Sequence, residues 1–470
     1  MNNHRGTTLE KALEVNLDPR RYGTFAEIGA GQEVVRWFFQ AGGAAGTISK
    51  SISAYDMQVS DAIYGKCKRY VCRERLEAML DHEQTLNRDR LEGHRGAEST
   101  FFCFADTVSA RNYHGTNECH GWMGVQFQAE PGAADSRIII HVRMLDNENA
   151  QQQDAIGIAG VNLVHAAFFA HDDPDQLIES LLDGLSTQRI EIDMIEFSGA
   201  AFSTIDNRIM ALKLVQKGMT GAALFAADGS VLQPSAVLRK RPLLVERGRF
   251  RPVTNVNIDM MHSTLAAFEA AHGIAEGETL PIMELSMNCL AASGEVNLAD
   301  FIDRAEVLES TGHTVMISDY YEYFRLAQYL FRFTQKPIGI AMGLDNLCKL
   351  FNEDAYTQLD GGILESFGKL FRNDLRLYVY PRKNENGEVE SIDKLRISPT
   401  LAKLYDYLAS RNCIVGLKNY NEAFLDIHSP EVLKKIAAGD LTWQDDVPAA
   451  VADVIREKSL FGLKKTAATA

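Results

Sequence analysis

Residues 281–343 constrain this chain most, because they read strand, helix, strand, helix, strand with polar side chains gathered where the strands end. In Pro281-Ile-Met-Glu-Leu-Ser-Met-Asn288 the side chains alternate. Glu284, Ser286 and Asn288 point one way, and Met283, Leu285 and Met287 the other. A strand inside an α/β layer normally buries apolar residues on both faces, so a carboxylate on one of them demands a partner or a task.

The same rhythm extends on both sides. Strand-like runs recur near 137–145, 189–197, 220–226, 241–246, 281–287, 313–318, 336–342, 374–380 and 413–418, with helical patterns between most of them. Such alternation predicts a mostly parallel sheet covered by helices. About nine strands are available where a barrel takes about eight, so the expected fold is α/β, an irregular (β/α) barrel over residues 131–425. The alternative is a doubly wound, mostly parallel sheet. Asn297 is placed to cap a helix that Gly312 follows, and Asp319 reads as the cap of the next helix, with Glu322 three residues on. Ala227-Asp-Gly-Ser230 reads as a turn between antiparallel arms. Residues 1–130 read as a separate mixed α/β domain, with strands at 24–29, 101–108 and 122–128, a helix at 32–40 and a charged loop over about 81–99. Residues 426–470 read as a helical extension and tail.

At 470 residues there is room for two domains. The chain carries 48 basic and 63 acidic side chains, a net charge of −15, which disfavours broad binding to nucleic acid or anionic membranes and leaves room for a small basic patch that holds a small anion. The longest apolar run, near 155–170, contains Asn162 and His165 and falls short of a membrane span. Seven cysteines without a C-x-x-C, Cys67 and Cys72 being the closest spaced, point to a reducing compartment. The polar start Met1-Asn-Asn-His-Arg-Gly carries no secretory pattern. A cytoplasmic homo-oligomer is expected.

Three constellations bear on chemistry. First, polar residues share strand faces: His141 with Arg143, Glu191 with Asp193, and Glu284 with Ser286. In one barrel these faces would meet at its mouth, with Glu284 as general base or magnesium ligand and His141 as a second acid–base group. Second, Arg247-Gly-Arg-Phe-Arg251 places arginines at alternate positions, ahead of Asn255 and a helical pattern from about Ile258. An extended backbone would aim these forks together at a phosphate or carboxylate, with Arg249 and Arg251 the principal contacts. Gly339-Ile-Ala-Met-Gly343, at a strand end, would add backbone N–H groups. Third, the run from Arg111 to Trp122 holds His114, Cys119 and His120 at spacings that match no standard zinc site; a binding loop through His114 and His120 is favoured over a metal site, and a satisfied structural loop over either. Gly29-Ala-Gly31 joins a strand to a helix, but Val34 stands where a dinucleotide fold has its third glycine.

Phe25-Ala-Glu-Ile-Gly-Ala-Gly-Gln and Gln40-Ala-Gly-Gly-Ala-Ala-Gly-Thr-Ile-Ser resemble segments of an uncharacterised family of bacterial cytosolic proteins of similar length. Residues 284–350 are more distantly similar to the barrel of nicotinate phosphoribosyltransferases. The order Ala299 to Gly312, Val315-Met-Ile-Ser-Asp319 and Ile338-Gly-Ile-Ala-Met-Gly343 matches that family's helix, Ser-bearing strand and glycine loop, with Met287-Asn-Cys-Leu-Ala-Ala in place of its Asp-Ser-Gly-Asp loop. The resemblance implies glycosyl or phosphoribosyl transfer on a small anionic, phosphorylated substrate; the sequence names no cofactor and leaves magnesium as a candidate through Glu284. Two rival expectations are a non-catalytic, self-assembling scaffold and a metal-dependent hydrolase built on Glu191, Asp193 and Glu284.

Overall fold

The computed structural model describes residues 6–292 and 294–464. It divides into two compact units, Met1–Thr220 and Gly221–Ala470. In the first, α1 (Thr8–Leu17), β1 (Arg21–Gly29), α2 (Val34–Ala41), β2 (Ile48–Ile52), α3 (Met57–Tyr64), α4 (Arg73–Arg95), β3 (Thr100–Ser109), β4 (His120–Gln128), β5 (Asp135–Met144), α5 (Asn149–Phe169), α6 (Pro174–Ser180), β6 (Ile190–Gly199) and α7 (Asn207–Gln216) follow in order. Their strands form one sheet, β2-β1-β3-β4-β5-β6. The first three are parallel and the rest antiparallel. One face carries Phe25, Phe102, Phe104, Phe127, Ile138 and Ile140, in one core with apolar residues of α1, α2 and α5.

The other face of this sheet is covered by α4, where a charged loop is expected from the sequence. Its buried residues, Arg75, Leu76, Met79, Leu80, Glu83, Gln84 and Asn87, recur at helical spacing, but more than half are polar. Most of their polar groups find partners distant in sequence: Gln84 donates to Asp135, Asn87 to the Phe102 carbonyl and Arg75 to Asp61. The stripe that seats the helix is therefore largely invisible to a count of apolar residues.

In the second unit, β7 (Ala222–Phe225), β8 (Val231–Leu232), α8 (Pro234–Leu238), β9 (Leu243–Arg247), α9 (Asn255–His272), β10 (Leu280–Ser286), α10 (Met287–Leu290), α11 (Leu298–Glu309), β11 (Thr314–Ser318), α12 (Tyr323–Phe331), β12 (Ile338–Gly343), α13 (Leu344–Leu350), α14 (Gly362–Leu370), β13 (Leu375–Tyr380), the short ribbon β14 (Arg382–Lys383) and β15 (Val389–Glu390), α15 (Ala402–Ser410), β16 (Ile414–Gly416), α16 (Ser429–Ala438) and α17 (Ala449–Lys458) follow. The main sheet runs β16-β13-β12-β9-β10-β11-β7-β8. From β16 to β11 it is parallel, and β7 and β8 close one side as antiparallel arms around the expected 227–230 turn. Numbered in chain order, the parallel strands lie 3-2-1-4-5-6, the order of a doubly wound sheet.

The α/β class thus holds, and the closed barrel is not seen: among the described residues no pairing joins β16 to β8. Two of the strands assigned to the barrel, β5 and β6, hydrogen-bond instead to β4 and to each other. That pairing moves the domain boundary from 130/131 to 220/221. It also takes His141, Arg143, Glu191 and Asp193 out of the sheet that holds Glu284.

Both faces of the second sheet are covered. Leu243, Val245, Ile282, Met316, Ile340 and Leu377 share a core with Phe324 of α12, Phe367 of α14 and Leu408 of α15. Ala341 and Tyr378, on the opposite face, pack with Phe268 of α9. Asn297 caps α11 as expected, accepting from the Asp300 amide at 3.1 Å. Asp319 is not a cap; its amide donates to the Gly221 carbonyl, and α12 begins at Tyr323. Among the described residues no helix is long and apolar enough to cross a membrane.

Candidate functional site

In a doubly wound sheet, crossovers leave toward opposite faces where the strand order reverses, and a crevice opens at the carboxyl ends of the strands there. In the second unit the reversal falls between β9 and β12. A cleft of about 430 Å³ lies along that edge, lined by Arg247 at the end of β9 and Arg249 beyond it, Ser286 at the end of β10 and Asn288 beyond it, Tyr323 of α12 and Lys349 of α13, among others.

Glu284 is fully buried behind it. It stands in register with Arg247 on the neighbouring parallel strand. Arg247 Nε lies 2.6 Å from Oε2 and Nη2 2.8 Å from Oε1, a bidentate ion pair, and the Ser318 hydroxyl donates to Oε1 as well. The guanidinium also donates to the carbonyls of Tyr321 at 2.6 Å and Tyr320 at 2.7 Å and lies 4.6 Å from the centre of the Tyr323 ring. Burial alone would lower the pKa of Arg247; the charge and hydrogen bonds of Glu284 outweigh it and raise it. Burial pushes the Tyr323 phenol up to about 12, so it remains a donor. Glu284, offered by the sequence as a base or magnesium ligand, is in fact a brace whose oxygens are already occupied.

The arginines diverge. The strand stops at Arg247, and Phe250 adopts a left-handed φ of 47°, so the alternation that would aim all of them together is broken. Arg249 is exposed in the cleft, whereas Arg251 turns away to pair with Asp300. Asn255 donates to the Asp445 carbonyl at 2.9 Å rather than facing a ligand. Gly339 belongs to no turn: it lies early in β12, where an added Cβ would come within 2.9 Å of Leu244 and 3.0 Å of Phe268. Close packing against α9 explains it. Gly343, at the other end of β12, is the N-cap of α13, the helix that brings Asn346 and Lys349 to the cleft, and has open space around it. Of the residues the sequence nominates here, Arg249 and Ser286 reach the cleft itself. Lys349, Asn346 and the rings of Tyr321, Tyr323 and Tyr356 were missed. The signal available was Asn346-x-x-Lys349, one helical turn apart directly after a strand.

His141 and His120 belong to the first unit, where they form a chain. His141 Nδ1 lies 2.6 Å from Asp193 Oδ1, and its Nε2 lies 3.0 Å from Nδ1 of His120. His141 thus bridges Asp193 and His120 through its two ring nitrogens. Burial, and then the neighbouring His141, lowers the pKa of His120 to about 4. Beside them Arg143 donates to Glu191 at 2.7 Å, and Thr220 to Glu191 at 2.8 Å. These contacts offset much of the cost of polarity inside a sheet, while among the described residues Asp193 Oδ2 and Arg143 Nε are left without a hydrogen-bond partner. His114 is exposed in the loop before β4, its ring 5.4 Å from that of Tyr113, and is not joined to His120. Among the described residues no group of three His, Cys, Asp or Glu side chains is placed to hold a metal.

The first unit has its own cleft, of about 720 Å³, at the carboxyl ends of β1 and β3, where its strand order likewise reverses. It is lined by Gly29, Tyr55, Tyr70, Ser109 and Asn149, with Arg111 as its cation beside the carboxylates of Glu33 and Asp56. The second unit's cleft is smaller, but it is the one that presents a net positive lining.

No family model matches the chain, and no curated protein matches it. Among solved structures it is similar to the competence/damage inducible protein CihA from Agrobacterium tumefaciens, at 15% identity over 35% of this chain and 98% of that one, with a TM-score of 0.25. It is likewise similar to a competence or damage-inducible protein from Enterobacter asburiae, at 15% identity over 35% of this chain and 99% of that one, with a TM-score of 0.26. A CinA superfamily protein from Klebsiella pneumoniae matches at 14% identity over 34% of this chain and 95% of that one, with a TM-score of 0.25.

Proposed function

We propose that the second unit binds a small anionic, phosphorylated molecule at the carboxyl edge of its sheet and acts as a glycosyl or phosphoribosyl transferase. One observation carries the binding: Arg249 and Lys349 line the same cleft, both exposed, and among the described residues neither has an acidic partner at ion-pair distance. In a chain of net charge −15, with carboxylates to spare, two unpaired cations in one concavity are a site for an anion from outside. Phosphate oxygens would take the Arg249 fork and the Lys349 ammonium. Asn288 and Asn346 offer amide contacts, and the tyrosine rings offer a flat apolar wall for a sugar or base. The transfer chemistry rests on the resemblance of residues 284–350 alone. The cleft's own carboxylate, Glu322, is paired with Arg325 at 3.0 Å, so magnesium enters as a counter-ion on the ligand's phosphates.

The test is a thermal-shift panel of phosphoribosyl pyrophosphate, nucleotides and sugar phosphates, with and without magnesium, on the native chain and on Arg249→Ala and Lys349→Ala. A ligand at about a hundred times its dissociation constant stabilises by about 2.7 kcal/mol. The expected result is a shift with at least one phosphorylated compound that both variants reduce. No shift with any compound, together with large assemblies on sizing, would replace this reading with the scaffold.

A further inference from the structure

We infer that Cys67 and Cys72 form a reversible thiol–disulfide switch on the first unit, a modification site whose loop lines the 720 Å³ cleft. The two sulfurs lie 3.4 Å apart, both cysteines are free, and both are only partly buried. A disulfide bond of about 2.05 Å needs a further approach of roughly 1.4 Å, within reach of side-chain rotation. The segment between them has neither helix nor strand to break. It runs from Gly65, which ends α3 with a φ of 82°, to Cys72, the residue that starts α4.

The surroundings suit exchange. Lys66, Lys68, Arg69 and Arg73 flank the pair in sequence, Arg73 being engaged by Glu77 and Glu196, and both thiols are partly exposed to a reagent. Burial pushes the Cys72 thiol up to about 12 despite the opposing α4 amide of Arg75, which disfavours Cys72 as the first nucleophile. The Cys67 thiolate attacks a small-molecule disulfide RSSR, forming Cys67–S–SR and releasing RS⁻. Cys72 then loses its proton and attacks the Cys67 sulfur, displacing the second RS⁻. Both thiol protons end on the released thiols, so RSSR is reduced to two RSH as the two cysteines are oxidised to one disulfide.

The consequence falls on Tyr70 and Val71, which lie between the cysteines and line the cleft. In the reduced state Tyr70 is held by its hydroxyl to Asp61 at 3.2 Å, by its carbonyl to Thr107, and by the Arg75 guanidinium 5.5 Å from its ring centre. Drawing Cys67 onto Cys72 tightens this loop and changes the wall that Tyr70 provides.

The experiment treats the reduced full-length chain with oxidised glutathione and reads intact mass, disulfide-linked peptides and amide hydrogen exchange. The expected product has lost two hydrogens, carries a Cys67–Cys72 link, reverts with dithiothreitol and exchanges on the order of tenfold more slowly over residues 65–72. Cys72→Ser should stop at a lasting glutathione adduct on Cys67, and Cys67→Ser should give neither link nor slowed exchange. A persistent adduct on native Cys67, a link through other cysteines, no reaction, or a Cys67–Cys72 link with unchanged exchange would each overturn the inference. The native chain alone decides if a variant fails to fold.

Discussion

A carboxylate with no exposed surface persists in the second sheet because an arginine meets both of its oxygens. The sequence marks Glu284 as needing a reason but does not name it, since the answer is set by strand register with Arg247. Removing Arg247 strands a buried charge, so Arg247→Ala should cost about 3–5 kcal/mol, whereas the apolar pair Arg247→Met with Glu284→Leu should recover most of it. Arg249→Ala, at an exposed site, should stay within about 0.5 kcal/mol of native. Chemical denaturation separates these outcomes, and equal effects at Arg247 and Arg249 would refute the brace. Glu246, on the opposite face of β9, is a second case. It is fully buried, accepts from Asn257 at 2.9 Å, and leaves Oε2 without a partner. Burial raises its pKa from an ordinary 4.5 to about 8, against the lowering effect of Asn257. Below the lower value both states hold the proton. Between the two values only the folded state does, so stability falls by about 1.4 kcal/mol per pH unit; above the upper value the slope ends. Glu246→Gln should therefore gain on the native protein as pH rises from 5 to 8, read from denaturation midpoints across that range. A constant difference would show that Glu246 ionises normally.

At the scale of elements, strands were legible and their partners were not. The positions of β5 to β7, β9 to β13 and β16 follow from short apolar runs between turn residues, a local signal. Which strand pairs with which is a long-range property with no local trace, so a rhythm common to barrels and doubly wound sheets gave two acceptable folds. α4 was lost for the opposite reason: its buried stripe is polar and satisfied by partners distant in sequence. The arginine series misled because alternation was carried past the end of its strand. β12 supplies a test of the corrected roles of its glycines. Gly339→Ala places a methyl against Leu244 and Phe268 and should cost about 1–3 kcal/mol by overpacking. Gly343→Ala, with an ordinary φ of −77° and nothing within 4 Å of the new methyl, should be tolerated in stability. Thermal melts of the two variants give the comparison, and equal losses would mean that neither end of the strand is packed as described.

For the molecule as a whole, the decisive question is where the chain can be divided. A boundary at 130/131 follows from the change of rhythm in the sequence, but it would cut between β4 and β5, whose strands pair along their full length from His120↔Arg143 to Gln128↔Asp135. A fragment ending at 130 would expose the edge of β4 and lose Ile138, Ile140, Ile190 and Ile192 from the core that α1, α2 and α5 complete. An unpaired apolar edge of that length is an aggregation template. A cut after Thr220 severs no strand pair, because β6 is the last strand of the first sheet and β7 opens the second. Each piece then retains its own core and is large enough to bury it. Residues 1–220 and 221–470, made separately, should each show cooperative unfolding and native-like circular dichroism, whereas residues 1–130 should be insoluble or unfolded. If 221–470 melted without cooperativity while the full chain did not, the second core would depend on the first, and the doubly wound sheet could not be treated as a domain that carries its cleft by itself.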